Sequence, residues 1–163
     1  MNTEIGYIKF QGIDGSSEET MHKHWSAVYN ISGGVARPVA SGSGRQTIEK
    51  ATLTDYVVVK GFDKASPQLF QKSCQGEVFK KVEIDQVSNV GGQHANTVVR
   101  IVLEDVYISN YSSHSQQSAN GVLPIETLSL NYAKIEVEYT QVGVDGKIGG
   151  KSKGTWNVPQ GKP

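Results

Sequence analysis

Glu126-Thr127-Leu128-Ser129-Leu130-Asn131-Tyr132-Ala133-Lys134-Ile135-Glu136-Val137-Glu138-Tyr139-Thr140-Gln141-Val142 carries two alternating apolar patterns of opposite phase. Leu128, Leu130 and Tyr132 are even-numbered. Ala133, Ile135, Val137 and Tyr139 are odd-numbered. Successive side chains of a strand point to opposite faces, so an apolar set that changes parity without a break implies a long strand with a bulge or sharp bend. Tyr132-Ala133 is the expected place. Asp145-Gly146 downstream is a hairpin signal, and the chain returns through Thr155-Trp156-Asn157-Val158. Residues 159–163 read as a frayed end.

Working upstream, strand character dominates. Residues 98–109 alternate, with Val99, Ile101, Leu103 and Tyr107 on one face and Arg100 and Glu104 on the other. Residues 110–121 are rich in Ser and Gln and read as a polar loop. Strands are also expected at 5–10, 48–60 and 78–87, and at 25–31 with Trp25, Ala27, Tyr29 and Ile31 sharing a face. One helix stands out. Ser66 is placed as N-cap, Pro67 at the first helical position and Gly76 as the stop. Leu69, Phe70, Ser73 and Cys74 fall on its apolar side, which predicts a buried, inert thiol. Residues 32–44 hold Gly33, Gly34, Pro38, Gly42 and Gly44 without any period and read as a long loop, a feature that is usually functional in a small domain. Many strands and one short helix give an all-β (mainly β) fold, a β-barrel or two packed antiparallel sheets.

Length and charge agree. The 163 residues fit one domain, 1–163. Sixteen basic residues balance sixteen acidic ones, which argues against nucleic-acid binding and suits a self-associating protein. A single cysteine permits no internal disulfide. Met1 to Tyr7 lacks the basic and apolar regions of a cleaved signal, and no apolar run approaches the ~20 residues of a membrane helix. Synthesis in the cytoplasm is expected, with any export by a route that reads the folded protein.

Catalytic and binding chemistry is not apparent. Gly146-Lys147-Ile148-Gly149-Gly150-Lys151-Ser152 approaches a phosphate loop, but Asp145 stands where its first Gly belongs, and a hairpin precedes it. His22 and His24, with His94 or His114, lack a ligand partner at recognisable spacing and read as solvated loop histidines rather than a metal site. Ser41-Gly42-Ser43-Gly44 is not a nucleophile elbow. Asp14, Glu18 and Glu19 read as a solvated acidic turn. No cofactor, metal or catalytic residue is assigned.

Several stretches together resemble the Hcp family, the haemolysin-coregulated tail-tube proteins of type VI secretion systems. Ile13-Asp14-Gly15-Ser16-Ser17-Glu18 followed by His22-Lys23-His24-Trp25 is similar to the family's Asp-Gly-Glu-Ser start and following His-Lys. Ser16 stands where the family often has Glu, and Ser26 where Ile or Leu is common. Lys64-Ala65-Ser66-Pro67-Gln68-Leu69 resembles the family's helix start. Leu103-Glu104-Asp105-Val106-Tyr107-Ile108-Ser109, Glu126 to Ile135 and Glu138-Tyr139 resemble its most specific pattern. The matches run in order along nearly the whole chain. They imply a β-barrel of two sheets with one flanking helix, assembled as a hexameric ring. The rings would stack into a tube inside a contractile sheath, with a baseplate and a spike protein, and could carry effector cargo in the lumen. The protein would be cytoplasmic before firing and then secreted, with neither enzymatic activity nor membrane insertion.

The competing readings are a monomeric β-barrel ligand-binding module and a hydrolase with an unrecognised site. Under the ring reading, Val35, Ala36, Arg37, Pro38, Val39 and Ala40 are the expected oligomer-interface residues. Val35, Ala36, Pro38, Val39 and Ala40 form the only apolar cluster of the 33–44 loop. Contact with another subunit would offset an ordering cost of roughly 1–2 kcal/mol per residue, and Arg37 would pair with a carboxylate there. An extended loop at this point makes such contacts in the resembled family.

Overall fold

The parity switch at Tyr132-Ala133 marks where a barrel wall ends and an extension begins. The computed structural model describes residues 4–42, 44–89 and 96–163. In chain order the strands are β1 (Gly6–Phe10), β2 (Ser26–Ser32), β3 (Val35–Ala36), β4 (Val39–Gly42), β5 (Arg45–Ile48), β6 (Thr52–Leu53) and β7 (Tyr56–Gly61). The helix α1 (Ser66–Gln75) follows, then β8 (Phe79–Ser88), β9 (Asn96–Ser118), β10 (Gly121–Asn131), β11 (Lys134–Val142) and β12 (Ile148–Asn157). The main sheet runs β10-β7-β2-β1-β8-β9-β11-β12. A further pairing of β9 with β10 closes β1, β2, β7, β8, β9 and β10 into a six-stranded barrel. Closure satisfies the backbone donors and acceptors that an open sheet leaves at its edges.

The long β9 does double duty. Its second half, Tyr107 to Ser118, pairs with β10 in the barrel, and its first half pairs with both β8 and β11. The bend at Tyr132-Ala133 separates β10 from β11, as the phase change predicts. An opposing irregularity lies in β9, where Asp105 takes a positive φ of 49°. The register steps from Lys134 opposite Glu104 to Asn131 opposite Tyr107, and the Ala133 N–H donates to the Glu104 carbonyl at 3.0 Å. The inward set of β9 therefore changes from Ile101 and Leu103 to Val106 and Ile108. This corrects the expected placement of Tyr107, which is 42% exposed. A similar slip in β2, between Val28 and Asn30, separates inward Ser26 and Val28 from Ile31, which packs on the core from the other parity, so Trp25, Ala27 and Tyr29 do not share its inward face.

Two expected loops are strands. Residues 110–118 continue β9, register-matched from Asn110 opposite Ser129 to Ser118 opposite Gly121. Beyond Tyr111, which packs on the core, the Ser, His and Gln side chains of 112–117 carry no alternation because they are exposed on both faces of the ribbon. Residues 35–53 form a β-arm of two short antiparallel ladders rather than an aperiodic loop. In it β3 pairs with β6, and β4 pairs with β5. Gly33 lies at its base against the Tyr56 ring, where a Cβ would come within 2.8 Å. The terminal residues are also ordered by bonds: the Asn157 N–H donates to the Lys162 carbonyl at 2.7 Å.

The core gathers Ile8, Phe10, Val28, Val58, Leu69, Val82, Ile84, Leu103, Leu128 and Leu130, among others, inside the barrel. The helix contributes a narrower stripe than its sequence suggests. Leu69 is fully buried, whereas Phe70 is 54% exposed and Cys74 is exposed. Gly76 ends α1 in the left-handed conformation (φ 65°) as expected. The N-cap residue is Ala65, not Ser66. Asp63 accepts the Ala65 N–H instead, at 3.0 Å, which frees the Ser66 hydroxyl for the interior. With its thiol exposed, Cys74 is expected to label rapidly with a bulky maleimide in the native protein. Cys74→Ser is expected to change stability by no more than about 0.5 kcal/mol, as measured by denaturant titration. Slow native labelling would contradict this placement.

Candidate assembly surface

Two clusters of ionisable side chains are buried, and neither is an open reaction centre. Lys60 and Glu126 are cross-strand partners of β7 and β10 and share the inward parity of Val58 and Leu128. Both are fully buried and directly ion-paired. The Lys60 ammonium also donates to Asp63 at 3.1 Å, to Ser66 Oγ at 3.2 Å and to the Gly61 carbonyl at 2.9 Å. Glu126 accepts from Ser66 Oγ at 2.8 Å and from the Tyr111 hydroxyl at 2.7 Å. This cluster fastens the first turn of α1 to the barrel.

The second cluster fastens residues 14–25 to the outside of the barrel. His22 was expected to be a solvated histidine, yet it is 1% exposed. Its Nδ1 lies 2.7 Å from Glu19 Oε2, and its Nε2 lies 2.9 Å from Asp85 Oδ2. Asp85, fully buried, is held in turn by a two-pronged contact from Arg100 at 2.8 and 2.6 Å. The His22 ring stacks on Tyr7 at 4.5 Å and meets Trp25 edge-on at 5.1 Å. Burial by itself pushes the His22 imidazole down. The Asp85 and Glu19 carboxylates outweigh it and hold the group above its usual value of 6.5. Burial likewise works against the Asp85 charge, but Arg100 and His22 keep its carboxyl below the usual aspartate value.

The other residues considered for chemistry do not converge. His24 and His114 are exposed, and His94 and Ser43 lie outside the described residues. Among the described residues no three His, Cys, Asp or Glu side chains form a group suited to a metal. Glu18 is exposed, and Asp14 pairs with Lys9 at 2.6 Å. Gly146 closes the β11–β12 turn, and Ile148 to Ser152 are strand, with no helix following as a phosphate loop requires. Among the described residues, no buried side-chain nitrogen or oxygen lacks a hydrogen-bond partner.

Apolar surface stays open on the two appendages. Val35, Val39 and Ile48 on the arm are 66%, 57% and 64% exposed. Val39 sits directly opposite Ile48 in the arm's ladder. Ala36, Pro38 and Ala40 are exposed beside them, and Arg37 is exposed with no ion pair among the described residues. The β11–β12 extension has two unlike faces. Lys151 pairs with Glu138 at 3.0 Å and Lys153 with Glu136 at 2.9 Å on one face. Ile135, Val137 and Tyr139 line the other, with Trp156 opposite Ile135. Arm and extension meet across a groove of about 540 Å³ lined by Val35, Leu53, Tyr56, Tyr132, Val137 and Trp156, among others. The sequence pointed to residues 35–40 but not to this groove, whose walls come from five strands, β3, β6, β7, β11 and β12, and the β10–β11 bend.

A closed antiparallel β-barrel with a projecting β-arm, a two-stranded extension and one pinned helix defines the class of protein. Residues 7–139 match the family described as type VI secretion system effector, Hcp. The chain is 25% identical to protein hcp1 of Pseudomonas aeruginosa over 161 residues, which covers 94% of each chain. It is similar to the solved structure of a type six secretion system protein at 28% identity, with a TM-score of 0.87 and coverage of 98% of this chain and 99% of that one. Hcp1 from Salmonella typhimurium, 19% identical, shares the fold with a TM-score of 0.75 over 96% of each chain. The chain belongs to the Hcp family and is a type VI secretion system protein.

Proposed function

We propose that this chain, as one domain spanning 1–163, is the subunit of hexameric rings that stack into the tube of a type VI secretion apparatus. The observation that carries the reading is the pair of unpartnered apolar appendages on a protein whose buried polar groups are otherwise satisfied. Exposed Val and Ile side chains on an arm that projects from its own barrel gain burial only from another molecule. In this reading Val35, Ala36, Pro38, Val39 and Ala40 pack on a neighbouring subunit or the next ring, and Arg37 meets a carboxylate there. The saturated polar clusters support a structural rather than an enzymatic role. The side-chain-filled barrel argues against the alternative of a ligand-binding module. Sheath, baseplate, spike and lumen cargo are the partners this role requires. Neither nucleic acid nor a membrane is among them, and no cofactor or metal is needed.

The proposal places the protein in the cytoplasm before firing and outside the cell afterwards, without N-terminal cleavage. β1 begins at Gly6 and is paired on both sides, by β2 and β8. Cleavage downstream of β1 would therefore excise a barrel strand. Protein recovered from the medium is expected to retain the mass of the full chain and to vanish when the secretion apparatus is inactivated. Recovery of a form shortened at its N-terminus, or export independent of the apparatus, would refute the proposal.

A further inference from the structure

The His22 cluster does more than fasten a loop. Both ring nitrogens face carboxylate oxygens at hydrogen-bonding distance. An ionised carboxylate only accepts, so both nitrogens must donate and the buried ring is an imidazolium. Its two carboxylates are not equivalent. Asp85 is fully buried and keeps the Arg100 guanidinium whatever His22 does, whereas the Glu19 side chain is 22% exposed and has no second cation among the described residues. Glu19 Oε2 also accepts the Met21 N–H at 3.0 Å, so the same oxygen organises the 19–21 turn. The groups around the ring are Tyr7 from β1, Asp85 from β8, Arg100 and Thr97 from β9, and Glu19 from the loop itself.

We propose that His22 is a proton-operated latch, and that loss of its Nδ1 proton to solvent releases Glu19 and loosens the 14–25 segment from the barrel. With that proton gone, a nitrogen lone pair faces the Glu19 oxygen. The neutral ring keeps its Nε2–H on Asp85, and Glu19 turns to water. The raised titration of His22 sets the direction. The latch is fully closed below the ordinary histidine value of 6.5 and opens as pH rises through the higher folded value. The acid limit is set by the lowered carboxyls of Glu19 and Asp85, which hold until pH falls below the usual carboxylate range. The consequence reaches the surface. Glu19 and Met21 line a cleft with Arg100 and Lys151, and Ser17 and Glu19 line another with Tyr29 and Phe62, so opening the latch reshapes both.

Trypsin cleavage of the full-length protein after exposed Lys23, normalised to cleavage after Lys147 at the exposed β11–β12 turn, reads the latch. In the parent, the ratio is expected to be low near pH 6.5 and to rise by up to about tenfold per pH unit beyond the His22 titration. His22→Gln is expected to give a high ratio that does not vary with pH. Glu19→Gln leaves the Asp85 contact intact and is expected to move the rise to lower pH. A flat ratio in the parent up to about pH 9.5 would overturn the latch, as would a pH-dependent rise surviving in His22→Gln. An unmoved rise in Glu19→Gln would overturn the assignment to Nδ1.

Discussion

Glu126→Ala is expected to lower the unfolding free energy by about 3 kcal/mol, because it removes the fully buried one of the two carboxylates paired with the buried Lys60 ammonium and leaves the less buried Asp63 to hold the charge. Lys60 would keep its contacts with Asp63, Ser66 and the Gly61 carbonyl, which do not replace the fully buried carboxylate. The Tyr111 and Ser66 hydroxyls would lose their acceptor as well. A small domain has only about 5–15 kcal/mol of stability in total, so the single variant should sit close to unfolding at physiological temperature. The double variant Lys60→Met, Glu126→Leu is expected to recover most of the loss, since a buried ion pair replaced by apolar groups of similar volume is often neutral or better. Chemical denaturation midpoints for the two variants check both statements. A loss below about 1 kcal/mol for Glu126→Ala would show that the pair is hydrated and not buried.

Replacing Val35 to Ala40 with a Gly-Ser sequence is expected to leave the barrel folded and to weaken assembly on the order of a hundredfold. Among its described residues the arm adds only Leu53, at its base, to the core, so circular dichroism and thermal unfolding should change little. The assembly loss follows from area. Val35 and Val39 are 66% and 57% exposed in the single chain, and burying a side chain of this kind contributes about 1.5–3 kcal/mol when complete. Scaled for the exposed fraction, the two give about 2–4 kcal/mol per contact, and each 1.4 kcal/mol is roughly a factor of ten in affinity. Light scattering across a dilution series measures the change. Equal assembly by the parent and the replaced protein would make the arm a passive surface segment.

How far these features could be read from sequence depends on whether a pattern or a partner defines them. The Tyr132-Ala133 bend was legible because both flanking strands bury an apolar set, and one-residue parity is strictly coupled to face. Asp145-Gly146 and Gly76 were legible because turn and cap chemistry is local. The strand at residues 112–117 and the outer part of the arm were not, since an exposed ribbon has no alternation, and its pairing lies in the strand opposite. Cys74 shared a helical face with Leu69, but only the first turn of α1 enters the core, and no local signal sets that depth. The buried clusters were half legible. Glu126 shares the even parity of Leu128 and Leu130, which places a carboxylate on the inward face and implies a cation opposite. Naming Lys60 requires the β7–β10 register. His22 was missed because its partners Asp85 and Arg100 are far away in sequence and meet it only through the β8–β9 ladder.

The most direct test of the account is the assembly state of the purified full-length protein, from light-scattering mass together with negative-stain images. The account predicts a discrete mass near six chains, as closed cyclic symmetry requires, and annular particles with an open centre. A monomer of about 17.7 kDa that persists across a wide concentration range, with no rings in the images, would contradict it.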